Sequence, residues 1–346
     1  MSIPFKEPSP PYNIRLSLEK SNLTKFYKKR AVPRSGRNKL LIASWNIANL
    51  GAQHRNEDAL KLIAHIIRRF DLIAIQEVNE NFRTLASIVN MIRGYDFIMT
   101  DTAGNTERLA FVYRKSKVKP RQLFGEIALR KREYPKKNVT VRFRERGESK
   151  IKKYKNIQFV PFDRNPYIGS FQAGNLNFTL VNVHLYFGKW QNSRKQEDQL
   201  KYCRRVLEIY AMARWAKRRN DAKTTYDKDI LLLGDMNIPV METTDSAYKA
   251  LVQFGMQPVN WLTNVGGSNI NNDKTYDQVA IAPDTIQDKV LGVGAIDFDN
   301  AIFNDKWKEL SNQMSHRKAT SRFASYMKHH ISDHRPIWIQ LDTGVT

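Results

Sequence analysis

The sequence predicts an α/β fold built around one large hydrophobic core or two smaller ones. Strand-like apolar runs alternate with amphipathic helical segments from Leu40 almost to the end of the chain. The chain has 346 residues, of which 41% are hydrophobic, so it can bury a sizeable core. Short polar motifs follow many of the apolar runs. Sheet proteins place functional groups at such strand ends, where the strand fixes them and the loop stays open.

The first half of the chain alternates strands and helices. Leu60, Ile63 and Ile67 recur at helical spacing, which predicts a helix with one apolar face. The predicted strands here are residues 40–45, 71–76, 95–100 and 109–113, and the predicted helices are residues 56–70 and 81–92.

The second half continues this alternation. Gly174 and Asn175 separate two apolar runs and predict a β-hairpin turn. The predicted strands are residues 167–173, 176–184, 229–233, 278–282 and 336–341, and the predicted helices are residues 193–219 and 244–254.

Three segments depart from this rhythm. Residues 1–39 are basic and contain proline, which predicts an N-terminal arm that is partly ordered at best. Residues 130–155 are crowded with Lys and Arg around a Gly147 turn, which predicts a basic β-hairpin insertion. Residues 303–330 show loose helical spacing and predict a C-terminal helical insertion. We expect residues 40–346 to form a single catalytic domain carrying both insertions.

The net charge of +23 favours a polyanionic partner. Lys and Arg side chains that neutralise phosphates release condensed counterions, so nucleic acid is the first candidate. An anionic membrane surface is a second. A charge that serves only solubility is the third reading. No protein partner can be inferred.

Location follows from composition. The apolar runs are too short to span a membrane, and the N-terminus does not resemble a secretory signal. Cys203 is the one cysteine, so an intramolecular disulfide is impossible. We therefore expect a cytoplasmic protein, with a disulfide-free secreted protein as the alternative.

The motif Gly234-Asp235-Met236-Asn237 follows a buried strand. A carboxylate beside an amide can accept a proton from water while the amide donates to a phosphoryl oxygen. Glu77 and Asn46 also end strands, and their hard oxygens suit Mg²⁺. The alternative for each residue is an ordinary turn or cap, since Gly, Asp and Asn are common in turns.

His184 and His334 also lie at strand ends. A histidine of near-neutral pKa can donate to a phosphoryl oxygen, and a carboxylate on its other nitrogen fixes the tautomer. Asp277 and Glu107 are the natural carboxylate partners. A structural role is the alternative for each histidine taken singly.

Taken together and in this order, the motifs resemble the endonuclease/exonuclease/phosphatase superfamily, the fold of pancreatic deoxyribonuclease, over about residues 40–342. The matching residues are Asn46 in Ser-Trp-Asn, Glu77 in Ile-Gln-Glu-Val, Glu107 before Leu-Ala-Phe-Val-Tyr-Arg, Arg164 in Arg-Asn-Pro, His184 in Asn-Val-His, Asp235 and Asn237 in Gly-Asp-Met-Asn, Asp277 in Tyr-Asp-Gln, and Asp333 and His334 in Ser-Asp-His-Arg-Pro.

This resemblance implies a four-layer α/β sandwich, in which two packed mixed β-sheets are flanked by helices. It also implies Mg²⁺-dependent hydrolysis of a phosphodiester by a water attacking in line, with Mn²⁺ as a substitute ion. The implied metal residues are Asn46, Glu77 and Asp333.

The implied catalytic residues are His184, Asp235, Asn237, Asp277, His334 and Glu107. Asp235 would position or deprotonate the water, and Asn237 would hold a phosphate oxygen. Each histidine, oriented by its carboxylate, would neutralise charge in the transition state. Arg164 would bind the substrate backbone as a planar bidentate donor.

Departures from the family pattern narrow the match. Gln278 stands where pancreatic-type enzymes have Arg after Tyr-Asp, and inositol-phosphate phosphatases carry Trp-Cys-Asp-Arg where this chain has Thr-Tyr-Asp-Gln. The nearest match is the non-specific nuclease branch, in a bacterial or phage-like form. The sequence thus predicts a DNA endonuclease of low sequence specificity, with RNA as a further substrate.

Two alternatives stay open. One is a phosphatase or phosphodiesterase acting on a phosphoinositide or another small phosphorylated molecule. The other is a nucleic-acid-binding protein on an inactive nuclease scaffold.

Overall fold

Two six-stranded mixed sheets form the middle of the molecule in the computed structural model, which describes residues 4–102, 106–188, 194–262, 265–283 and 285–344. Sheet 1 has the order β13 (Val290–Ala295), β14 (Ile337–Asp342), β1 (Lys39–Leu50), β2 (Leu72–Asn79), β4 (Glu107–Arg114) and β3 (Tyr95–Met99). Sheet 2 has the order β11 (Gln257–Pro258), β12 (Asp277–Ile281), β10 (Ile230–Asp235), β9 (Leu176–His184), β8 (Tyr167–Ala173) and β5 (Lys119–Glu126).

Helices cover the outer face of each sheet. Sheet 1 packs against α1 (Leu16–Lys29), α2 (Glu57–Ile67), α3 (Arg83–Asn90), α6 (Asn304–Gln313) and α7 (His316–His330). Sheet 2 packs against α4 (Gln196–Asp221) and α5 (Ser246–Val252). The predicted four-layer sandwich is therefore confirmed. None of the described helices is both long and apolar enough to cross a membrane.

Strand alternation explains how two sheets share one core. Along β1, Leu40 and Ile42 face sheet 2, whereas Leu41 and Ala43 face the helices of their own side. Successive side chains of a strand point to opposite faces, so a continuous apolar run fills two layers at once. Aromatic rings join the two sheets: Phe111 of sheet 1 lies 5.2 Å from Phe171 of sheet 2, edge to face.

A buried polar network also crosses between the sheets. The amide of Gln76 on β2 donates to Asn182 Oδ1 on β9 at 2.6 Å. Asn182 Nδ2 in turn donates to the carbonyl oxygens of Ile75 and Ala110, both at 3.1 Å. Each buried amide is thus paired, as burial requires. The network fixes the relative position of the two sheets beside the residues that follow.

The N-terminal segment is not the partly ordered arm that its composition suggests. Residues 16–29 form α1, whose Leu23, Phe26 and Tyr27 are buried in the core of the sheet 1 side. The buried Glu19 accepts hydrogen bonds from Tyr12 Oη at 3.0 Å and from the backbone N–H of Phe303 at 2.9 Å. The apolar residues of α1 recur at helical spacing, and this signal outweighs the surrounding charge. Residues 1–3 lie outside the described residues.

The basic hairpin is present as β6 (Lys136–Glu145) and β7 (Glu148–Gln158), which pair with each other. Its Val139, Val141 and Tyr154 are buried against the sheet 2 helices, and Tyr154 Oη donates to Gln199 Oε1 at 2.6 Å. The hairpin is therefore docked on α4 through one face. The C-terminal segment that was predicted helical forms α6 and α7.

Edge strands and some boundaries differ from the sequence prediction. The strands β5, β11 and β13 were not predicted; each lies at a sheet edge or is very short, where alternation is weakest. The strand β1 extends to Leu50, past the predicted end at residue 45. The predicted start of α4, residue 193, lies outside the described residues, as does residue 346 of the predicted domain.

Candidate active site

Three neighbouring strands of sheet 2 bring three side chains into one row. Parallel pairing of β9 with β10 sets His184 opposite Asp235. Antiparallel pairing of β10 with β12 sets Asp235 opposite Asp277. Because paired residues point to the same face of a sheet, the register brings one histidine and two carboxylates together.

Sheet 1 contributes a carboxylate at a local irregularity. The pairing of β1 with β2 shifts register after Asn46, and Glu77 adopts a φ of +59°. A non-glycine residue in this left-handed region is strained by about 1–3 kcal/mol, and such strain clusters at functional sites. Two hydrogen bonds stabilise Glu77 in this conformation: Asn46 Nδ2 and the Asn49 N–H each donate to its carboxylate at 2.8 Å.

Asn46 links the two sheets across the site. Besides Glu77, its Nδ2 donates to Asp235 Oδ2 at 3.1 Å. The other oxygen of Asp235 accepts from the backbone N–H of Asn237 at 2.9 Å. Asp235 is only 2% exposed. Its orientation is therefore set from both sides before any substrate binds.

His334 forms a hydrogen-bonded pair with Asp277. Its Nδ1 lies 2.8 Å from Asp277 Oδ2, and its Nε2 lies 3.8 Å from Asp235 Oδ2. Burial lowers the pKa of His334, but the carboxylates of Asp277 and Asp235 outweigh burial and raise the pKa well above its ordinary value. Trp45 Nε1 donates to the His334 carbonyl at 2.8 Å and holds the loop in place.

His184 forms the second such pair, with Glu107. Its Nδ1 lies 2.9 Å from Glu107 Oε2, and its Nε2 lies 3.6 Å from Asp235 Oδ2. Burial raises the pKa of Glu107, yet His184 and Arg164 bring it down to about 2. Burial and Arg164 lower the pKa of His184, but the carboxylates of Glu107 and Asp235 raise it by more. The net result is a pKa above the ordinary value for histidine.

Asp235 therefore faces two imidazoles that favour their charged form. Burial raises the pKa of Asp235, but His334 and His184 outweigh it, so the net shift is downward. The site presents an ionised carboxylate flanked by two N–H donors.

Arg164 lies differently from the sequence expectation. Its Nε and Nη2 donate to the two oxygens of Glu107 at 2.6 and 3.1 Å, and its Nη1 donates to Asp163 at 3.2 Å. In this structure the paired nitrogens thus bind Glu107, and they do not present the predicted bidentate edge to a substrate. A planar guanidinium binds a buried carboxylate with the same bidentate geometry as a phosphate. The Arg-Asn-Pro motif alone therefore does not predict which of the two Arg164 binds.

A cavity of about 720 Å³ collects these groups. Among the predicted residues that line it are Glu77, Glu107, Arg164, His184, Asp235, Asn237, Asp333 and His334. Asn46 and Asp277 lie behind this lining and act through Glu77, Asp235 and His334. One open cavity therefore carries carboxylates from both sheets and two imidazoles whose carboxylate neighbours raise their pKa.

Two known proteins are similar to this chain in sequence. No family model matches the chain. It is 21% identical to sheep (Ovis aries) deoxyribonuclease-1 over 321 residues, which cover 87% of this chain and 100% of the relative. An endonuclease/exonuclease/phosphatase family domain-containing protein 1 from Xenopus laevis is 24% identical over 117 residues, covering 34% of this chain and 19% of that protein.

The fold also matches a solved structure. The human Nocturnin catalytic domain, with bound sulfate anion, superposes with a TM-score of 0.50 at 12% identity, over 90% of this chain and 96% of that one. The chain is thus similar in sequence and in fold to proteins of the endonuclease/exonuclease/phosphatase superfamily.

Members of this superfamily are generally dependent on a divalent metal, and the residues present fit one. Asn46 Oδ1 is buried and has no hydrogen-bond partner among the described residues. The Nδ2 of the same amide donates to the Glu77 carboxylate, and Glu77 and Asp333 both line the cavity. Amide and carboxylate oxygens are the hard donors that Mg²⁺ takes.

A second cluster has metal-like spacing but different chemistry. Asp235, Asp277 and His334 each offer an atom within 4.8 Å of the others. His334 Nδ1 is hydrogen-bonded to Asp277 Oδ2, and the neighbouring carboxylates raise the pKa of His334, which favours its protonated form. A protonated imidazole has no lone pair for a cation, so this cluster would bind a metal only with His334 deprotonated.

Sequence reasoning missed several residues around the cavity. Arg55 is buried near Glu77 and Asp333, and its Nη2 donates to the carbonyls of Ala48 and Ile331 at 2.6 and 3.0 Å. Burial lowers the pKa of Arg55 to about 10, which leaves it charged at neutral pH. Other missed lining residues are Tyr186, Phe187, Arg204, Asn269, Tyr276 and Lys328. Tyr276 could have been predicted, because it precedes Asp277 in the same motif. Lys328 and Arg55 could not, because long-range packing places them near the cavity.

Proposed function

We propose that this protein is a Mg²⁺-dependent phosphodiesterase that cleaves nucleic acid, in the first place a DNA endonuclease of low sequence specificity. The observation that carries the proposal is the buried carboxylate of Asp235, set between two hydrogen-bonded imidazoles and next to the Asn46–Glu77 pair. This arrangement can activate a water and stabilise a phosphoryl group at the same point.

In this mechanism, Asp235 accepts the proton of the attacking water. Its lowered pKa keeps it ionised at neutral pH, and its contacts with Asn46 and Asn237 aim it at the cavity. The water oxygen attacks phosphorus in line, the bond to the leaving oxygen breaks, and the proton passes to the carboxylate.

The two imidazoles donate to phosphoryl oxygens. Protonated His334 is fixed by Asp277, and protonated His184 is fixed by Glu107, so each presents Nε2–H on the Asp235 side of the cavity. Donors held in place before the reaction stabilise the charge that develops in the transition state. Asn237, whose Nδ2 also binds the Leu185 carbonyl at 2.9 Å, would hold a phosphate oxygen.

Asn46, Glu77 and Asp333 would hold the Mg²⁺. When bound, the ion would supply Lewis-acid polarisation of a phosphoryl oxygen. Arg55 would offset part of the negative charge of these carboxylates from behind. Mn²⁺ would substitute, since it takes the same oxygen ligands.

Charge supports nucleic acid as the substrate. The net charge of +23 and the exposed lysines of β7 offer a surface for a phosphate backbone, which a small substrate would not need. The similarity to sheep deoxyribonuclease-1 favours DNA over RNA. The location in the cytoplasm stays a prediction that rests on the single cysteine, Cys203, which is free and buried.

The test is a substrate panel. Purified protein is incubated with supercoiled plasmid, linear duplex DNA, single-stranded DNA, RNA and a phosphoinositide, each with Mg²⁺ and with EDTA. We expect nicking of the closed circle in Mg²⁺ and none in EDTA, because internal cleavage is the only route to a nicked circle. Release of phosphate from the phosphoinositide, with plasmid left intact, would replace this proposal by the small-substrate alternative.

A further inference from the structure

One wall of the cavity carries aromatic rings and a cation that the proposed mechanism does not use. Tyr186, Phe187 and Arg204 line the same cavity as Asp235 and His184. Phe187 is 56% exposed. A single exposed aromatic side chain is ordinary on a protein surface and means little. Here, however, it stands three residues after His184 and lines the cavity in which we propose that the phosphate reacts.

The backbone that presents Phe187 is fixed on both sides. The buried Glu208 accepts from the Tyr186 N–H at 2.8 Å. The buried Arg205 donates to the Tyr186 carbonyl at 3.0 Å and to the Gly188 carbonyl at 2.8 Å. Phe187 therefore projects from a clamped segment, and its exposure does not come from an unsupported loop.

Arg204 and Tyr186 extend this surface. The Arg204 guanidinium lies 4.1 Å from the centroid of the Tyr186 ring, and it also donates to the carbonyl of Pro161. A guanidinium plane over an aromatic ring is one of the surfaces on which nucleobases stack. An inositol ring or a lipid headgroup has no π face to match it, so the occupant that fits is a nucleobase.

We propose that Phe187, together with the Arg204–Tyr186 pair that lines the same cavity, forms a stacking subsite for a nucleobase next to the phosphate that would be cleaved. The inference rests on the proposed function and narrows its substrate class. A base can lie on Phe187 only if it has left its own stack, so the subsite selects single strands, frayed ends or distorted duplex. It carries no sequence preference, because every base offers a π face.

The test compares two single-stranded DNA oligonucleotides of equal length and charge. One carries a base at every nucleotide, and the other is abasic at every internal nucleotide, so that any bond the protein cleaves is tested. With wild-type protein we expect kcat/KM for the based oligonucleotide to be roughly tenfold or more above that for the abasic one. Phe187→Ala should remove this ratio, and Phe187→Trp should keep it.

Phe82→Ala is the matched control, because Phe82 is 38% exposed but lies outside the cavity lining. It should leave the ratio unchanged. A wild-type protein that cleaves both oligonucleotides equally overturns the subsite, as does a Phe187→Ala variant that keeps the ratio or slows both substrates alike. A protein that nicks supercoiled plasmid but cleaves neither oligonucleotide also overturns the subsite, whereas a protein that cleaves neither plasmid nor oligonucleotide refutes the proposed nuclease function, so the two failures are distinguishable.

Discussion

Asp235 is the residue on which the proposed chemistry converges. Both of its oxygens are already hydrogen-bonded within the protein, and both histidines point at Oδ2. Asp235→Asn keeps the size of the side chain but cannot take a proton, and its NH₂ would face N–H donors. We expect turnover of plasmid DNA to fall roughly a thousandfold. Single-turnover cleavage and gel-shift binding measure this, and binding should be retained.

Asp342→Asn is the control for this variant. Asp342 is an exposed carboxylate at the end of β14, away from the cavity lining. The Asp342→Asn variant should cleave plasmid DNA at the parental rate. An Asp235→Asn protein that also cleaves at that rate would show that the base is another group.

The His334–Asp277 pair makes a separate prediction. Asp277 has no place in the cavity lining and acts by orienting His334. His334→Ala and Asp277→Ala should therefore not be additive: the double variant should cleave about as slowly as His334→Ala. A double-mutant cycle on kcat measures this. If the two substitutions instead lower kcat by independent factors that multiply in the double variant, Asp277 does not act through His334.

The ordered motifs predicted which residues meet, but not every contact that they make. The pairing of His334 with Asp277 and of His184 with Glu107 could be expected because each motif sits at a strand end. The bond between Arg164 and Glu107 could not, since both partners are charged residues whose spacing along the chain says nothing of their distance. Arg55 was equally invisible, because its neighbours Glu77 and Asp333 come from distant segments.

At the scale of the element, α1 shows how composition can mislead. Its buried Leu23 faces the sheet 1 core, whereas Leu18 of the same helix is 38% exposed. Leu23→Ala should lower the free energy of unfolding by about 2–5 kcal/mol through lost burial and the cavity left behind. Leu18→Ala should change it by less than about 0.5 kcal/mol. Urea unfolding measures both variants. Equally small changes in the free energy of unfolding would mean that α1 is not packed on the core, as the sequence predicted for an arm.

The helix α4 carries a titratable group that makes stability depend on pH. Glu208 accepts from the backbone N–H of Asp163 and of Tyr186, so it ties together two loops of the cavity wall. Burial raises its pKa to about 7, although the Tyr186 N–H and Arg204 oppose this. An ordinary Glu in the unfolded chain titrates near ~4.3. Between these values the folded protein keeps a proton that the unfolded chain has lost.

The free energy of unfolding should therefore fall as the pH rises from about 4.3 to about 7, and level off above that range. Glu208→Gln cannot ionise, so its stability should decline less over this window, by on the order of 3 kcal/mol. Urea unfolding at about pH 5 and about pH 8 measures the difference. The exposed Glu242→Gln should behave as the parent. A Glu208→Gln protein with the parental decline would mean that the carboxylate is ionised throughout.

At the scale of the molecule, the interior strands were predictable and the edges were not. Residues 72–75 and 230–233 are apolar on both faces, because each run lies between a helix layer and the other sheet. Such runs are read directly from sequence. The strand β5 carries charged and partly exposed residues, so its pairing with β8 depends on the partner more than on its own pattern.

The distribution of positive charge leads to the last prediction. The hairpin docks on α4 through Val139, Val141 and Tyr154, and its lysines on β7 stay exposed. Its second strand leads, through residues 159–162, to Asp163 at the cavity. A nucleic acid held in the cavity could thus continue along this surface. The exposed lysines concerned are Lys150, Lys152, Lys153 and Lys155.

Replacing these four lysines by Ser should flatten the slope of log affinity against log salt for duplex DNA by about 2–4 units, at about 0.9 per phosphate contact. Cleavage at low salt and saturating DNA should change little, because none of the four lines the cavity. The control removes four exposed lysines from the sheet 1 side, Lys25, Lys28, Lys29 and Lys308, and should leave the slope nearly unchanged. Equal flattening in both variants would mean that net charge, and not the hairpin, attracts DNA. An unchanged slope in both variants would mean that the hairpin is a solvated surface that does not bind DNA. It would then favour the alternative that the substrate is a small phosphorylated molecule.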